Sequence, residues 1–142
     1  MGVRIRLPNT AELDVYHTHL DAGSFVGSIA ARGKQLDTFA EAVEKLSPTQ
    51  AVIIGGDFNA SFSRPEDREL LLKFRQRLGL TDSGAAPQLP WWRERDYILF
   101  RNGPHTQLNV VEAGEALEFV VQSRALSDHP ALFARFNVTP IP

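Results

Sequence analysis

The sequence predicts an α+β fold in layers: a mostly antiparallel sheet with two main helices on one face, in a single domain spanning residues 1–142. Three observations carry this reading. Val3, Ile5 and Leu7 alternate with Arg4 and Arg6, the period of a half-buried strand. Residues 28–46 and 63–78 carry apolar side chains at helical spacing. Between them, residues 51–54 form a short run that is apolar throughout, as a strand covered on both faces would be.

Element by element, the first strand ends at the turn signal Pro8-Asn9-Thr10, and Leu13, Val15 and Tyr16 resume the extended pattern. Residues 2–19 therefore read as a hairpin that finishes at His17-Thr18-His19-Leu20. A loop follows over 21–27. The first helix is marked by Ile29, Leu36, Phe39, Ala40, Val43 and Leu46, and Ser47-Pro48 stops it. The strand at 51–54 leads into Gly55-Gly56-Asp57-Phe58-Asn59, where the glycines are expected to let the chain turn tightly. Ser63 is placed as the N-cap of the second helix, with Glu66 at capping-box spacing. Leu70, Leu71, Phe74 and Leu78 form its apolar face and Gly79 ends it. A polar loop is expected at 81–88. Strands follow at 96–101, 108–111 and 131–138, the last anchored by Leu132, Phe133 and Phe136, with a turn at Asn102-Gly103. Several strands are apolar on both faces while only two helices cover them, so part of the sheet is expected to lie bare.

Composition narrows the classes. With 43% hydrophobic and 23% charged residues, 142 residues suit one soluble domain with a real core. A net charge of -2 gives no broad cationic surface for duplex DNA, though it leaves room for a local basic rim. The sequence has no Cys, which removes disulfides and thiolate chemistry and favours a cytoplasmic location. No apolar run approaches the ~20 residues that span a bilayer, and the opening MGVRIRLPNT lacks the apolar core of a signal peptide.

Four polar segments fall where strands meet loops: His17-Thr18-His19, Asp57-Phe58-Asn59, Asp96-Tyr97 after Trp91-Trp92-Arg93, and Ser127-Asp128-His129. Each has a plain reading alone: strand-end histidines, a turn with Asn59 left-handed, an acid paired with Arg93 or Arg95, a loop turn before Pro130. Together they form the set that metal-assisted phosphate hydrolysis requires. A hard cation takes carboxylates, water needs a group to orient or deprotonate it, and the phosphoryl oxygens need donors. An acid beside an imidazole fixes the ring's orientation.

The ordered set resembles the endonuclease/exonuclease/phosphatase superfamily, with its deoxyribonuclease-I-like fold. His17-Thr18-His19-Leu20 is similar to that family's "NTHL", Arg32 and Gln35 to its Arg-x-x-Gln pair, and Gly56-Asp57-Phe58-Asn59 to its "GDFN". Asp96-Tyr97-Ile98 resembles its "DYI" strand and Ser127-Asp128-His129 its "SDH" terminus. The resemblance implies a phosphodiester or phosphomonoester hydrolase using Mg²⁺ or Mn²⁺ and in-line attack of water. It implies His19, Asp57, Asn59, Asp96 and His129 as catalytic residues. On it, His19 donates to a phosphate oxygen, Asn59 binds the scissile phosphate, and Asp96 orients His129. Either Asp57 or His129 serves as the base. Asp128, Asp57 and Asn59 are the expected metal ligands. Trp92, Arg93 and Arg95 are the candidate substrate contacts, and Arg32 and Gln35 brace the site from behind. The substrate is left open among nucleic acid, phospholipid and small phosphoesters, with the loops at 21–28 and 81–95 setting the choice.

The resemblance covers residues 3–138 and corresponds to the C-terminal half of the family pattern. The first half of that pattern supplies an Asn and a metal-binding Glu, and nothing before His19 matches them; Glu12 sits in the hairpin. Three readings follow. The chain is a fragment, or a half-domain that forms a homodimer or takes a companion chain, or a protein that binds without cutting. The first two are preferred, since a bare apolar sheet face calls for a partner.

Overall fold

The computed structural model describes residues 1–85, 94–121 and 124–142. Its elements run β1 (Gly2–Arg6), β2 (Glu12–His19), α1 (Val26–Leu46), β3 (Ala51–Asp57), α2 (Pro65–Leu78), β4 (Thr81–Asp82), β5 (Asp96–Arg101), β6 (Thr106–Glu115), β7 (Val120–Val121), β8 (Arg124–Ala125) and β9 (Leu132–Pro140). A five-stranded sheet has the order β1-β2-β3-β5-β4. Its β2–β3 pair is parallel and its other pairs are antiparallel. Parallel neighbours need a crossover, and α1 supplies it. β6 and β9 form a separate antiparallel ladder, broken by a bulge at Val110/Glu112.

Strand alternation divides the sheet into two faces. Tyr16, Val52, Ile54, Tyr97 and Leu99 point to the helix side, where they pack with Leu36, Ala40 and Val43 of α1 and Leu71, Phe74 and Leu78 of α2. Val43, Val52 and Ile54 are wholly excluded from solvent. Each such side chain contributes about 1.5–3 kcal/mol of burial. Leu13, Ala51, Val15, Ile53 and Phe100 point the other way and meet Leu108, Phe136 and Val138 of the ladder. The second face is thus partly covered by the chain's own β6–β9 ladder, more than two helices alone would allow. Val3 and Ile5 on edge strand β1 still stand 53% and 38% exposed. Among the described residues, no helix is long and apolar enough to cross a membrane.

Several sequence expectations need correction. Ser63 does not cap α2: Arg64 holds the cap position without a side-chain cap bond, and Pro65 opens the helix, where its missing N–H costs nothing. The Ser63 hydroxyl instead donates to Glu94 at 2.8 Å. Gly79 does end α2, left-handed at φ 66°. Gly55 and Gly56 lie inside β3, not in a turn. Thr81 and Asp82 pair with β5 instead of starting a loop. The strands expected at 108–111 and 131–138 run longer, as Thr106–Glu115 and Leu132–Pro140.

Candidate active site

The site begins with register. His19 of β2 lies opposite Asp57 of β3, and Asp57 lies opposite Asp96 of β5. Alternation puts all three on the face shared by Val15, Ile53 and Phe100, so they form one polar row across three strands at the end of an apolar face. Gly56 makes this register possible. Its φ is +142°, and a Cβ there would sit 2.0 Å from the Thr18 carbonyl oxygen.

His129 completes the row from the loop after β8. Its Nδ1 stands 2.6 Å from Asp96 Oδ2 and 3.8 Å from Asp57 Oδ2. The Ser127 hydroxyl accepts the His129 backbone N–H at 3.1 Å, which steadies the loop. On the other side, His19 Nε2 is 3.5 Å from Asp57 Oδ2. Asp57 therefore sits between two imidazoles, and Asp96 engages one of them. Burial raises the Asp96 pKa above the usual carboxylate range; the hydrogen bond from His129 opposes this and the Asp57 charge adds to it.

Past Asp57 the chain turns through Phe58, whose side chain is fully buried, to Asn59 in the left-handed region at φ 49°. The Asn59 backbone N–H donates to Asp57 Oδ1 at 2.7 Å, fixing the carboxylate. Its side-chain amide donates to the Leu20 carbonyl at 2.9 Å, and its Oδ1 accepts a 3.4 Å bond from Arg95. Arg32 is buried behind this corner, donating to the Asp21 and Gly23 carbonyls and to Asp67 Oδ1 at 2.6 Å. Gln35 Oε1 accepts the Asp21 N–H at 2.9 Å.

Of the residues singled out from sequence, His19, Asp57, Asn59, Asp96, His129 and Arg95 come together. Asp128 is exposed, its carboxylate meeting the Ser127 hydroxyl at 3.5 Å. Trp92 and Arg93 lie outside the described residues. Among the described residues, Asp57, Asp96 and His129 form the group whose ligand atoms all lie within 4.8 Å of one another. Sequence reasoning passed over two supports. Glu94 accepts the Ser61 hydroxyl at 2.9 Å and the Ser63 hydroxyl at 2.8 Å, a long-range contact with no local signal. Asp67 is buried against Arg32, and its signal was present: it heads the stripe Leu71, Phe74, Leu78. A carboxylate on an apolar stripe implies a buried partner.

The profile of the endonuclease/exonuclease/phosphatase family matches residues 2–129. The chain belongs to the endonuclease/exonuclease/phosphatase family. It is 31% identical over 150 residues to a sphingomyelinase of Mycobacterium tuberculosis, a match covering 94% of this chain and 29% of that one. In structure it resembles an endonuclease/exonuclease/phosphatase protein from Beutenbergia cavernae, with a TM-score of 0.71 at 19% identity over 95% of this chain and 38% of that one. It also resembles the human Nocturnin catalytic domain with bound sulfate, with a TM-score of 0.66 at 22% identity over 98% of this chain and 59% of that one. These structural likenesses confirm the α+β, deoxyribonuclease-I-like fold expected from sequence. The family chain described here spans under two thirds of the length of each of these relatives.

Proposed function

We propose that this chain carries a phosphoester-hydrolysing centre and that the row His19–Asp57–Asp96–His129 performs the chemistry. The observation that carries the proposal is the 2.6 Å contact between His129 and Asp96 beside Asp57, within the segment matched to the family. Asp96 holds the Nδ1 edge of His129, which leaves Nε2 to meet a phosphoryl oxygen or pass a proton. Asp57, fixed by the Asn59 N–H, is placed to orient and deprotonate water. Asn59 and His19 supply donors for the phosphoryl oxygens. Arg95, bonded to Asn59, is the described substrate contact on this reading.

The donor set fits a divalent cation. Asp57 and Asp96 face each other across β3 and β5, and their mutual repulsion is one cause of the raised Asp96 pKa. Two carboxylates with few other protein ligands match the way Mg²⁺ or Mn²⁺ is held, with water and substrate completing the shell. Asp57 and Asp96 would hold the ion, with Asn59 beside them and Asp128 exposed on the His129 loop. Such an ion supplies charge neutralisation for the phosphoryl group. The test is hydrolysis of bis(p-nitrophenyl) phosphate and p-nitrophenyl phosphate with and without Mg²⁺ or Mn²⁺. Turnover should need the metal and vanish in Asp57→Ala; absence of metal-dependent turnover in the intact chain refutes the catalytic reading.

A second reading has its own observation. Val3 and Ile5 lie open beside Val15 and Leu13 on the face that ends in the polar row. On this reading the chain is a half-domain that pairs through that face with a second copy or a companion chain. Light scattering separates the two, since a monomer at all concentrations excludes self-pairing.

A further inference from the structure

His17 and His19 stand two residues apart on β2, so alternation turns both side chains to the same face of the sheet. Their Cα atoms are therefore about 6–7 Å apart along the strand, near enough for both rings to meet at one ion. Both residues are exposed, His19 with 69% of its side chain open. We propose that His17, His19 and Asp57 form a site for Zn²⁺ or a similar borderline cation, and that an ion held there inhibits by taking His19 and Asp57 out of the polar row. The inhibition rests on the phosphoesterase reading; the site itself does not.

Spacing is the first argument. His19 Nε2 stands 3.5 Å from Asp57 Oδ2, beyond the ~2.7–3.2 Å of an ordinary N–H···O bond. Zn²⁺ takes imidazole nitrogen and carboxylate oxygen at about 2.0–2.2 Å in a tetrahedral shell, which sets two ligand atoms of one ion about 3.4 Å apart. The pair already has that separation.

Room is the second. His17 lies opposite Gly55 on β3. Backbone geometry does not call for glycine at this position: its φ is not positive, and a Cβ there would meet nothing nearer than the Tyr97 carbonyl at 4.0 Å. What Gly55 leaves is open space beside the His17 ring, on the face that carries Asp57 two residues further along β3. The compact group of Asp57, Asp96 and His129 does not include His17, so its ring must swing across Gly55 to join. An exposed side chain changes rotamer in picoseconds to nanoseconds, so the swing needs no backbone movement. Among the described residues, no hydrogen bond or ion pair engages the His17 ring.

Ligand chemistry is the third. Imidazole suits Zn²⁺, Cu²⁺ and Ni²⁺, whereas Mg²⁺ prefers carboxylate and water. Lys34 lines a cavity with both histidines, and its charge opposes a cation there. Ligation and not field must therefore supply the affinity, which favours the borderline ion over the hard one. Asp57 is wanted by both ions, so zinc here competes with the metal of the polar row.

Zn²⁺ titration followed by the ring resonances of the four histidines locates the ion. One equivalent should move His17 and His19 together and leave His105 in place. His17→Gln, a change at an exposed ring outside the polar row, should lower Zn²⁺ affinity at least tenfold. It should leave Mg²⁺-supported hydrolysis of bis(p-nitrophenyl) phosphate within about twofold of the parent and raise the Zn²⁺ concentration for half-inhibition at least tenfold. Asp57→Asn should also weaken Zn²⁺ binding, as a third ligand must. Unchanged Zn²⁺ affinity in either variant, or shifts at His129 in place of His17, overturns the site. Hydrolysis that persists with zinc bound at His17 and His19 overturns the inhibition. Joint His17 and His19 shifts in a chain that hydrolyses no substrate support the site and refute the phosphoesterase reading.

Discussion

Replacing Gly56 by Ala should damage both stability and the polar row, while the same change one residue earlier should do little. A Cβ on Gly56 would stand 2.0 Å from the Thr18 carbonyl oxygen and 3.0 Å from the Thr18 carbonyl carbon and nitrogen. Real Cβ contacts do not fall below 3.0 Å, so β2 and β3 must part by about 1 Å at the ends that carry His19 and Asp57. The residue must also keep φ near +142°, a region that costs a non-glycine residue about 1–3 kcal/mol. Forcing the strands apart adds roughly 1–3 kcal/mol of overpacking. The sum, about 2–6 kcal/mol, is a large share of the ~5–15 kcal/mol that holds a typical domain together. Because His19 and Asp57 are the next pair along the same ladder, the distortion reaches their 3.5 Å contact directly. Gly55 is the control: its Cβ would meet nothing nearer than the Tyr97 carbonyl at 4.0 Å. Urea denaturation followed by tryptophan fluorescence and far-ultraviolet circular dichroism measures the difference. A Gly56→Ala protein within 0.5 kcal/mol of the parent, or one no worse than Gly55→Ala, would refute the close-approach argument.

Three further substitutions probe charge. Asp96→Asn should lower kcat by about 10²–10⁴, the usual worth of an oriented acid–base group, yet stabilise the fold at neutral pH. The sign follows from the pKa: burial raises Asp96 in the folded state, so its contribution is complete below the unfolded value of 3.8 and lost as pH rises through the folded one. The stabilisation by Asn should therefore shrink as pH falls toward 3.8, which a series of urea midpoints checks. Asp14 has the opposite sign. Arg4, with help from Ser47 and against burial, holds its pKa below 3.8, so its contribution is present above 3.8 and lost as pH falls through the folded value. Asp14→Asn should cost stability at pH 6 and converge with the parent in acid. Asp67→Ala should cost about 3–5 kcal/mol by stranding the buried Arg32 charge, whereas Arg32→Met/Asp67→Leu should recover most of it; a loss under 1 kcal/mol for the single change would count against the buried pair.

Much of the fold was readable because its signals are local. The hairpin at 2–19 follows from alternation and the Pro8-Asn9-Thr10 turn, and α1 follows from its apolar stripe. The candidate site residues were named from four short segments. Their row was not readable, because it depends on the parallel β2–β3 register and the antiparallel β3–β5 register, both set by long-range packing. Gly56 shows the limit well. As a letter it signalled a turn; in the sheet it is the residue that lets Thr18 come close. Ser63 failed for a related reason, since Pro65 moved the helix start and a distant carboxylate, Glu94, took the hydroxyl. Asp128 stands beside His129 in sequence and is exposed on the same loop.

The polar row also adjoins the partly covered apolar face. Asp96 and His129 are 22% and 23% exposed, and they lie at the end of the face whose outer strand leaves Val3 and Ile5 open. Burial is already the leading cause of the raised Asp96 pKa, ahead of the opposing His129 hydrogen bond, the repulsion from Asp57 and the weaker attractions of His129 and His19. A chain that covered this face as far as the polar row would remove water from the same groups, and desolvation penalises the ionised carboxylate further. If the proposed pairing takes place, the Asp96 pKa should therefore rise with it, and the acid limb of the pH–rate profile should move up. Carboxyl carbon resonances of Asp96, titrated over a series of protein concentrations with light scattering beside them, give the measurement. If the face becomes protected while the Asp96 titration stays in place, desolvation does not set this pKa, and the interaction with Asp57 takes over as its cause.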